Sequence, residues 1–128
     1  MKGTLAAAVV ALATLAAPSS LAHHSFAQFD QTREIELKGT VTDWQFVSPH
    51  TWLYLLVPGT GKAPDKWSIE GLDPVLLRKV GFAKDTFAPG DKVTVYAFPL
   101  RNGAKGAALN AAILPDGRLV GKRMEAPK

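Results

Sequence analysis

The three histidines of the chain are its strongest candidates for metal ligands. His23 and His24 are adjacent, and His50 follows Ser48-Pro49 further along the chain. In a processed chain that begins at His23, this residue offers a metal two nitrogen atoms, from its α-amine and its ring, and the ring of His50 supplies a third. Nitrogen-rich tetragonal sites favour Cu(II) over other common divalent metals. The sequence therefore predicts a copper site formed by His23 and His50, with His24 as an additional ligand.

The same histidines also fit a purely structural interpretation. Residues near a chain terminus are often poorly ordered, and a loop histidine after proline can satisfy the polar groups of a turn. Processing after Ala17 instead of Ala22 would place His23 inside the chain and remove its free amine. The copper hypothesis therefore depends on where the chain is cleaved.

The N-terminal segment has the pattern of a secretory signal peptide. Lys2 supplies a positive charge, residues 4–17 form a small and apolar run, and Ser20-Leu21-Ala22 is a small-x-small cleavage site. The run is shorter than the roughly 20 apolar residues that a membrane-spanning helix needs. We therefore expect residues 1–22 to be a signal peptide, with a periplasmic or secreted protein and no membrane span after cleavage. An uncleaved anchor helix is the alternative.

Aromatic residues form a second set of candidates. Trp52 and Tyr54 alternate along one predicted strand, and Tyr96 and Phe98 alternate along another. Small β-barrels bind oligomeric ligands on aromatic sheet faces, so these four residues are a possible binding face for an envelope partner or a saccharide. Nucleic acid is not an expected ligand, because the positive charges are scattered and the protein is predicted to leave the cytoplasm. A role in the core is the alternative for most of these rings.

Signatures of catalysis are few. The sequence contains no cysteine, no Gly-x-Ser-x-Gly motif, no phosphate-binding loop and no His-Glu-x-x-His motif. This composition favours a non-enzymatic binding protein, whose ligand is either copper or an unknown envelope partner.

Most of the segments that carry these candidate residues alternate between apolar and polar side chains. Alternating apolar residues predict five strands, which begin at Ile35 and cover residues 51–57, 66–70, 92–98 and 107–114. Gly39 interrupts the first strand, which is typical of a bend or of a close approach between backbones.

One short helix is predicted between the third and fourth strands. Asp73 can cap its start, Pro74 suits the first helical position, and Gly81 can end it. Three strands, a helix and two strands is the order of an OB-fold. We therefore predict a single domain over residues 23–128, dominated by β-structure and forming a small five-stranded OB-like barrel. An open antiparallel sandwich is the alternative.

Several short segments also carry a resemblance to a known family. They are the opening His23-His24-Ser25-Phe26-Ala27, the Gly39-Thr40-Val41 segment leading to Pro49-His50, Trp67-Ser68-Ile69-Glu70, Gly90-Asp91-Lys92-Val93 and Pro99-Leu100-Arg101-Asn102-Gly103. In these segments the chain resembles small exported bacterial proteins catalogued as a domain of unknown function. Ser48 stands where the family pattern usually has asparagine. The resemblance implies an exported location and a compact β-rich domain, and it supplies no activity.

Overall fold

The computed structural model describes residues 26–125 of the chain. Within these residues the strands are β1 (Ile35–Gln45), β2 (Trp52–Val57), β3 (Asp65–Glu70), β4 (Lys92–Pro99), β5 (Gly106–Ile113) and β6 (Leu119–Gly121), and the helix α1 (Pro74–Arg78) lies between β3 and β4. No helix in this part of the chain is long and apolar enough to cross a membrane.

Strand pairing closes the sheet into a barrel. β1 pairs with β2 and with β4, β2 pairs with β3, and β4 pairs with β5, all antiparallel. The parallel pairing of β3 with β5, which begins with Ser68 opposite Gly106, completes the circle. β6 adds to the free part of β5. The predicted five-stranded OB-like barrel is therefore confirmed, and the open sandwich is excluded.

β1 changes partner near Gly39. Its first half, residues 35–40, pairs with β4, and its second half pairs with β2 from Thr40 onward. A Cβ atom at Gly39 would lie 2.6 Å from the carbonyl oxygen of Leu56. Glycine at this position therefore permits the close backbone approach that its place in the sequence indicated.

The alternation of each strand separates the core from the outer face. Leu53 and Leu55 of β2 are at most 1% exposed, as is Val95 of β4. Trp52 and Tyr54 have the opposite parity and are half-buried on the outside of β2.

The residues from which α1 was predicted, Asp73 before it and Gly81 after it, have the expected conformations. The Asp73 carboxylate accepts a hydrogen bond from the backbone N–H of Val75 at 2.8 Å, and Gly81 has a φ of 97°. Leu77 is 3% exposed and joins the barrel core, whereas Leu76 is 46% exposed. The helix is therefore one short amphipathic turn that covers the core through Leu77.

Candidate functional site

The loop between β1 and β2 brings His50 to the end of β3. Its Nδ1 atom lies 3.2 Å from Oε1 of Glu70 and 3.3 Å from the carbonyl oxygen of Gly71. The Gly71 carbonyl oxygen can only accept, so in a neutral ring that makes this hydrogen bond Nδ1 carries the proton and the lone pair is on Nε2. The pair therefore presents an oriented imidazole whose second nitrogen is able to bind a ligand.

Glu70 is an unusually buried carboxylate. It lies on β3 opposite Trp52 of β2, and its side chain is 9% exposed. Burial raises the pKa of Glu70, and the neighbouring His50 partly opposes this rise. The contact between Glu70 and His50 could not be found from the sequence, because no local pattern connects β3 to the β1–β2 loop.

Hydrogen bonds fix the loop that carries His50. The hydroxyl of Ser48, which follows the β1 strand and precedes a cis Pro49, donates to the carboxylate of Asp73. Thr51 donates from its hydroxyl to the carbonyl oxygen of Leu72 at 3.1 Å. The bond from Ser48, followed by that from the Val75 N–H, lowers the pKa of Asp73. These contacts join the β1–β2 loop to the β3–α1 loop and set the position of the imidazole.

The first described residues pack against the same site. The ring of Phe26 lies 6.2 Å from the ring of His50 and 6.0 Å from the ring of Phe29, measured between centroids. Phe29 is 2% exposed and forms a β-bridge with Leu100, and the N–H of Asp30 donates to the carbonyl oxygen of Pro99 at 2.8 Å. Residues 26–30 are therefore anchored beside β4 with Phe26 next to His50.

The other predicted copper ligands, His23 and His24, lie outside the described residues, as does the predicted signal peptide. Within residues 26–125, no three histidine, aspartate or glutamate side chains converge on a possible metal site. The described part of the chain therefore contributes His50 with its partner Glu70, and further metal ligands would have to come from elsewhere.

The structure brings together two of the four aromatic residues of the predicted binding face. Trp52 and Tyr54 stack with centroids 6.3 Å apart and an interplanar angle of 16°. Tyr96 lies on β4, is 5% exposed, and is covered by the Arg123 guanidinium 3.6 Å from its ring centroid. Phe98 is half-buried on the same strand. β1 lies between β2 and β4, so the two pairs are on strands that are not direct neighbours.

Comparisons with known proteins give a family and a distant structural likeness. The crystal structure of the ZRD-deleted mutant of TiaS in complex with agmatine matches with a TM-score of 0.46 and 18% sequence identity. That match covers 66% of this chain and 22% of the other chain, and it is too distant to support an argument about function. No curated protein matches the sequence. The family of unknown function DUF6152 matches residues 9–109. The chain therefore belongs to DUF6152.

Proposed function

We propose that this protein is an exported, non-enzymatic envelope protein that binds Cu(II) through a mature N-terminal His23 and the ring of His50, with His24 as an additional ligand. The observation that carries the proposal is the contact of His50 Nδ1 with Oε1 of Glu70 at 3.2 Å and with the Gly71 carbonyl oxygen at 3.3 Å. Metal-binding histidines commonly donate their other ring N–H to a carboxylate or a carbonyl group, which fixes the tautomer and orients the ring. With Nδ1 occupied in this way, Nε2 of His50 has the free lone pair that a metal ion needs.

The anchoring of Phe26 supports the participation of the terminal histidine. His23 is three positions before Phe26 in the sequence, and the ring of Phe26 contacts the ring of His50. An extended chain spans about 3.3–3.6 Å per residue, so three residues reach about 10 Å. A terminus at His23 is therefore within range of His50 without any rearrangement of residues 26–30.

Charge also favours a divalent cation beside this pair. The carboxylate of Glu70 is almost fully removed from solvent, and its only acidic or basic partner among the described residues is His50. A buried carboxylate is costly without a compensating positive charge. A Cu(II) ion on Nε2 would supply that charge through the imidazole.

The test compares three proteins. They are the mature chain beginning at His23, the same chain with one glycine added before His23, and the His50→Ala variant. Each is titrated with Cu(II) by calorimetry and examined by electron paramagnetic resonance. We expect the native chain to bind one Cu(II), and both variants to bind more weakly with a changed nitrogen hyperfine pattern.

Val47→Ala is the matched control, because Val47 lies in the same loop and is 53% exposed. It should bind copper as the native chain does. If His50→Ala binds as tightly as the native protein, the proposed site is wrong. The intact mass of the exported protein tests the other requirement, since a mature chain that does not start at His23 lacks the chelating amine.

The stacked pair Trp52 and Tyr54 favours a second candidate function, in which the barrel binds a saccharide or an envelope partner on its outer face. Two nearly parallel, half-buried rings on one strand resemble the stacking surfaces that small barrels use. Binding of this kind should be lost in Trp52→Ala and should be unaffected by a glycine added before His23. The second property separates it from the copper proposal.

A further inference from the structure

A cleft of about 410 Å³ opens beside Glu70, where the N-terminal segment, β2, β3 and the β4–β5 loop meet. Its walls include Phe29, Trp52, Ser68, Glu70, Leu100 and Lys105. Pockets for small molecules typically occupy about 300–1,000 Å³ and combine apolar walls with a few polar groups. The cleft has both the volume and the mixed lining of such a pocket.

The second carboxylate oxygen of Glu70 is a polar group without a partner in this cleft. Oε1 lies 3.2 Å from His50 Nδ1, and the described residues form no hydrogen bond to Oε2. The side chain is 9% exposed, so water has little access to it. A buried acceptor that lacks a donor costs free energy, so a ligand with a strong donor is the expected occupant.

The charge of the cleft is set by Glu70. Lys105 is the one lysine or arginine that lines it within the described part of the chain. The Lys105 Nζ atom lies 3.3 Å from Oδ2 of Asp65 and 5.5 Å from the centroid of the Trp67 ring, so its charge is already engaged. A cationic ligand is therefore not repelled by a free ammonium group on the protein.

The remaining walls are suited to hydrocarbon. Phe29 and Trp52 contribute aromatic surface, and Leu100 contributes aliphatic surface. Gly106 leaves room for the Leu100 side chain, since a Cβ atom at Gly106 would lie 2.6 Å from Leu100 Cδ1. Aromatic faces also attract organic cations, and most strongly where water is excluded.

We propose that this cleft binds a small organic cation, whose ammonium group donates to Oε2 of Glu70 and whose hydrocarbon part packs against Trp52 and Leu100. The binding needs no metal and no particular mature terminus. It is therefore independent of the copper proposal, although both use Glu70.

The experiment uses the full mature protein in buffer with a metal chelator. Calorimetric titrations compare n-butylammonium with 1-butanol and butyrate, which keep the four-carbon chain but lack the positive charge. We expect saturable binding of n-butylammonium alone. Glu70→Gln should weaken it by about tenfold or more, the value expected when a charged hydrogen bond is lost.

Two controls make the result specific. Glu36→Gln removes an exposed carboxylate of β1 that lies outside the cleft, and it should bind n-butylammonium as the native protein does. Trp52→Leu keeps an apolar wall without the aromatic face and should weaken binding even if Glu70→Gln folds poorly.

His50→Ala distinguishes the two proposals. It leaves Glu70 in the cleft, so it should retain n-butylammonium binding while losing tight copper binding. Absence of n-butylammonium binding to the native protein, or equal affinity in Glu70→Gln, would overturn the cation proposal and leave the copper proposal standing.

Discussion

The ring of Phe26 packs against the ring of His50 at a centroid distance of 6.2 Å. This contact connects the N-terminal segment to the loop between β1 and β2. Phe26 is itself supported by Phe29, which is 2% exposed and belongs to the packed interior. The segment that precedes Phe26 therefore starts from a defined point beside His50.

The first prediction is that Phe26→Ala lowers the affinity for Cu(II) by about tenfold while the barrel stays folded, because the terminal histidine loses its anchoring point and must be ordered on binding. Calorimetric titration measures the affinity, and circular dichroism checks the fold. Leu119→Ala is the control, since Leu119 is 50% exposed and lies on β6, which pairs with β5 and not with the loop that carries His50. Equal copper affinity in Phe26→Ala and the native protein would show that the anchor has no role in binding.

The second prediction uses two adjacent leucines of α1. Leu77 is 3% exposed and packs in the core, whereas Leu76 is 46% exposed. Leu77→Ala should lower the free energy of unfolding by about 2–5 kcal/mol, because it removes buried contacts and leaves a cavity. Leu76→Ala should change it by about 0.5 kcal/mol or less, as is usual for exposed positions. Urea denaturation measures both, and similar values for the two variants would mean that α1 does not cover the core.

The elements predicted from the sequence are those that depend on local pattern. Alternating Leu37 and Val41 indicated a half-buried strand, and Asp73 with Pro74 indicated the start of α1, because periodicity and capping act over a few residues. The order of these elements was then sufficient to predict the barrel.

The contacts that could not be predicted all join distant parts of the chain. His50 was a candidate because of its residue type and its position in a loop. Its contact with Glu70 exists only because the β1–β2 loop folds against the end of β3, which the sequence does not indicate. Tyr96 was a candidate for a binding face, with a place in the core as the alternative. Its ring is covered by Arg123, which returns to β4 from beyond β6. Strand parity gives the outer face of a barrel and does not reveal what packs onto that face.

The third prediction concerns the change of partner in β1. In Gly39→Ala, the new Cβ atom would lie 2.6 Å from the Leu56 carbonyl oxygen and 3.0 Å from Cγ2 of Val57. The backbone contact cannot be relieved by a side-chain movement, so we expect a loss of about 1–3 kcal/mol in the free energy of unfolding. Gly61→Ala is the matched control, because the nearest atom to its Cβ would be 4.0 Å away. Equal stability of the two variants in urea denaturation would contradict the close approach at Gly39.

The last prediction concerns Glu34, which joins the start of β1 to the C-terminal segment. Its side chain is 6% exposed and accepts hydrogen bonds from Asn110 Nδ2 at 2.6 Å, from Arg123 Nε at 3.0 Å and from the Met124 N–H at 3.0 Å. Burial by itself would raise the pKa of Glu34, but these three donors and the charge of Arg123 outweigh it, so the pKa lies below its ordinary value of 4.5. The folded state therefore favours the ionised carboxylate.

A carboxylate whose pKa is lower in the folded than in the unfolded chain stabilises the fold above its unfolded pKa, and this contribution is lost as the pH falls through the folded pKa. Glu34→Gln keeps the shape without the charge and should lower the free energy of unfolding at neutral pH by about 1–3 kcal/mol. The difference from the native protein should shrink as the pH falls below about 4.5, where the carboxylate begins to protonate in the unfolded chain. Other carboxylates with lowered pKa values, such as Asp30 and Asp73, occur in both proteins and cancel in the difference. Glu36→Gln changes an exposed carboxylate of β1 that pairs with Lys38, and it should show neither the loss nor the pH dependence. Urea denaturation from pH 3 to pH 7 measures all three proteins, and a difference between native and Glu34→Gln that stays constant over that range would rule out the stabilising ionisation of Glu34.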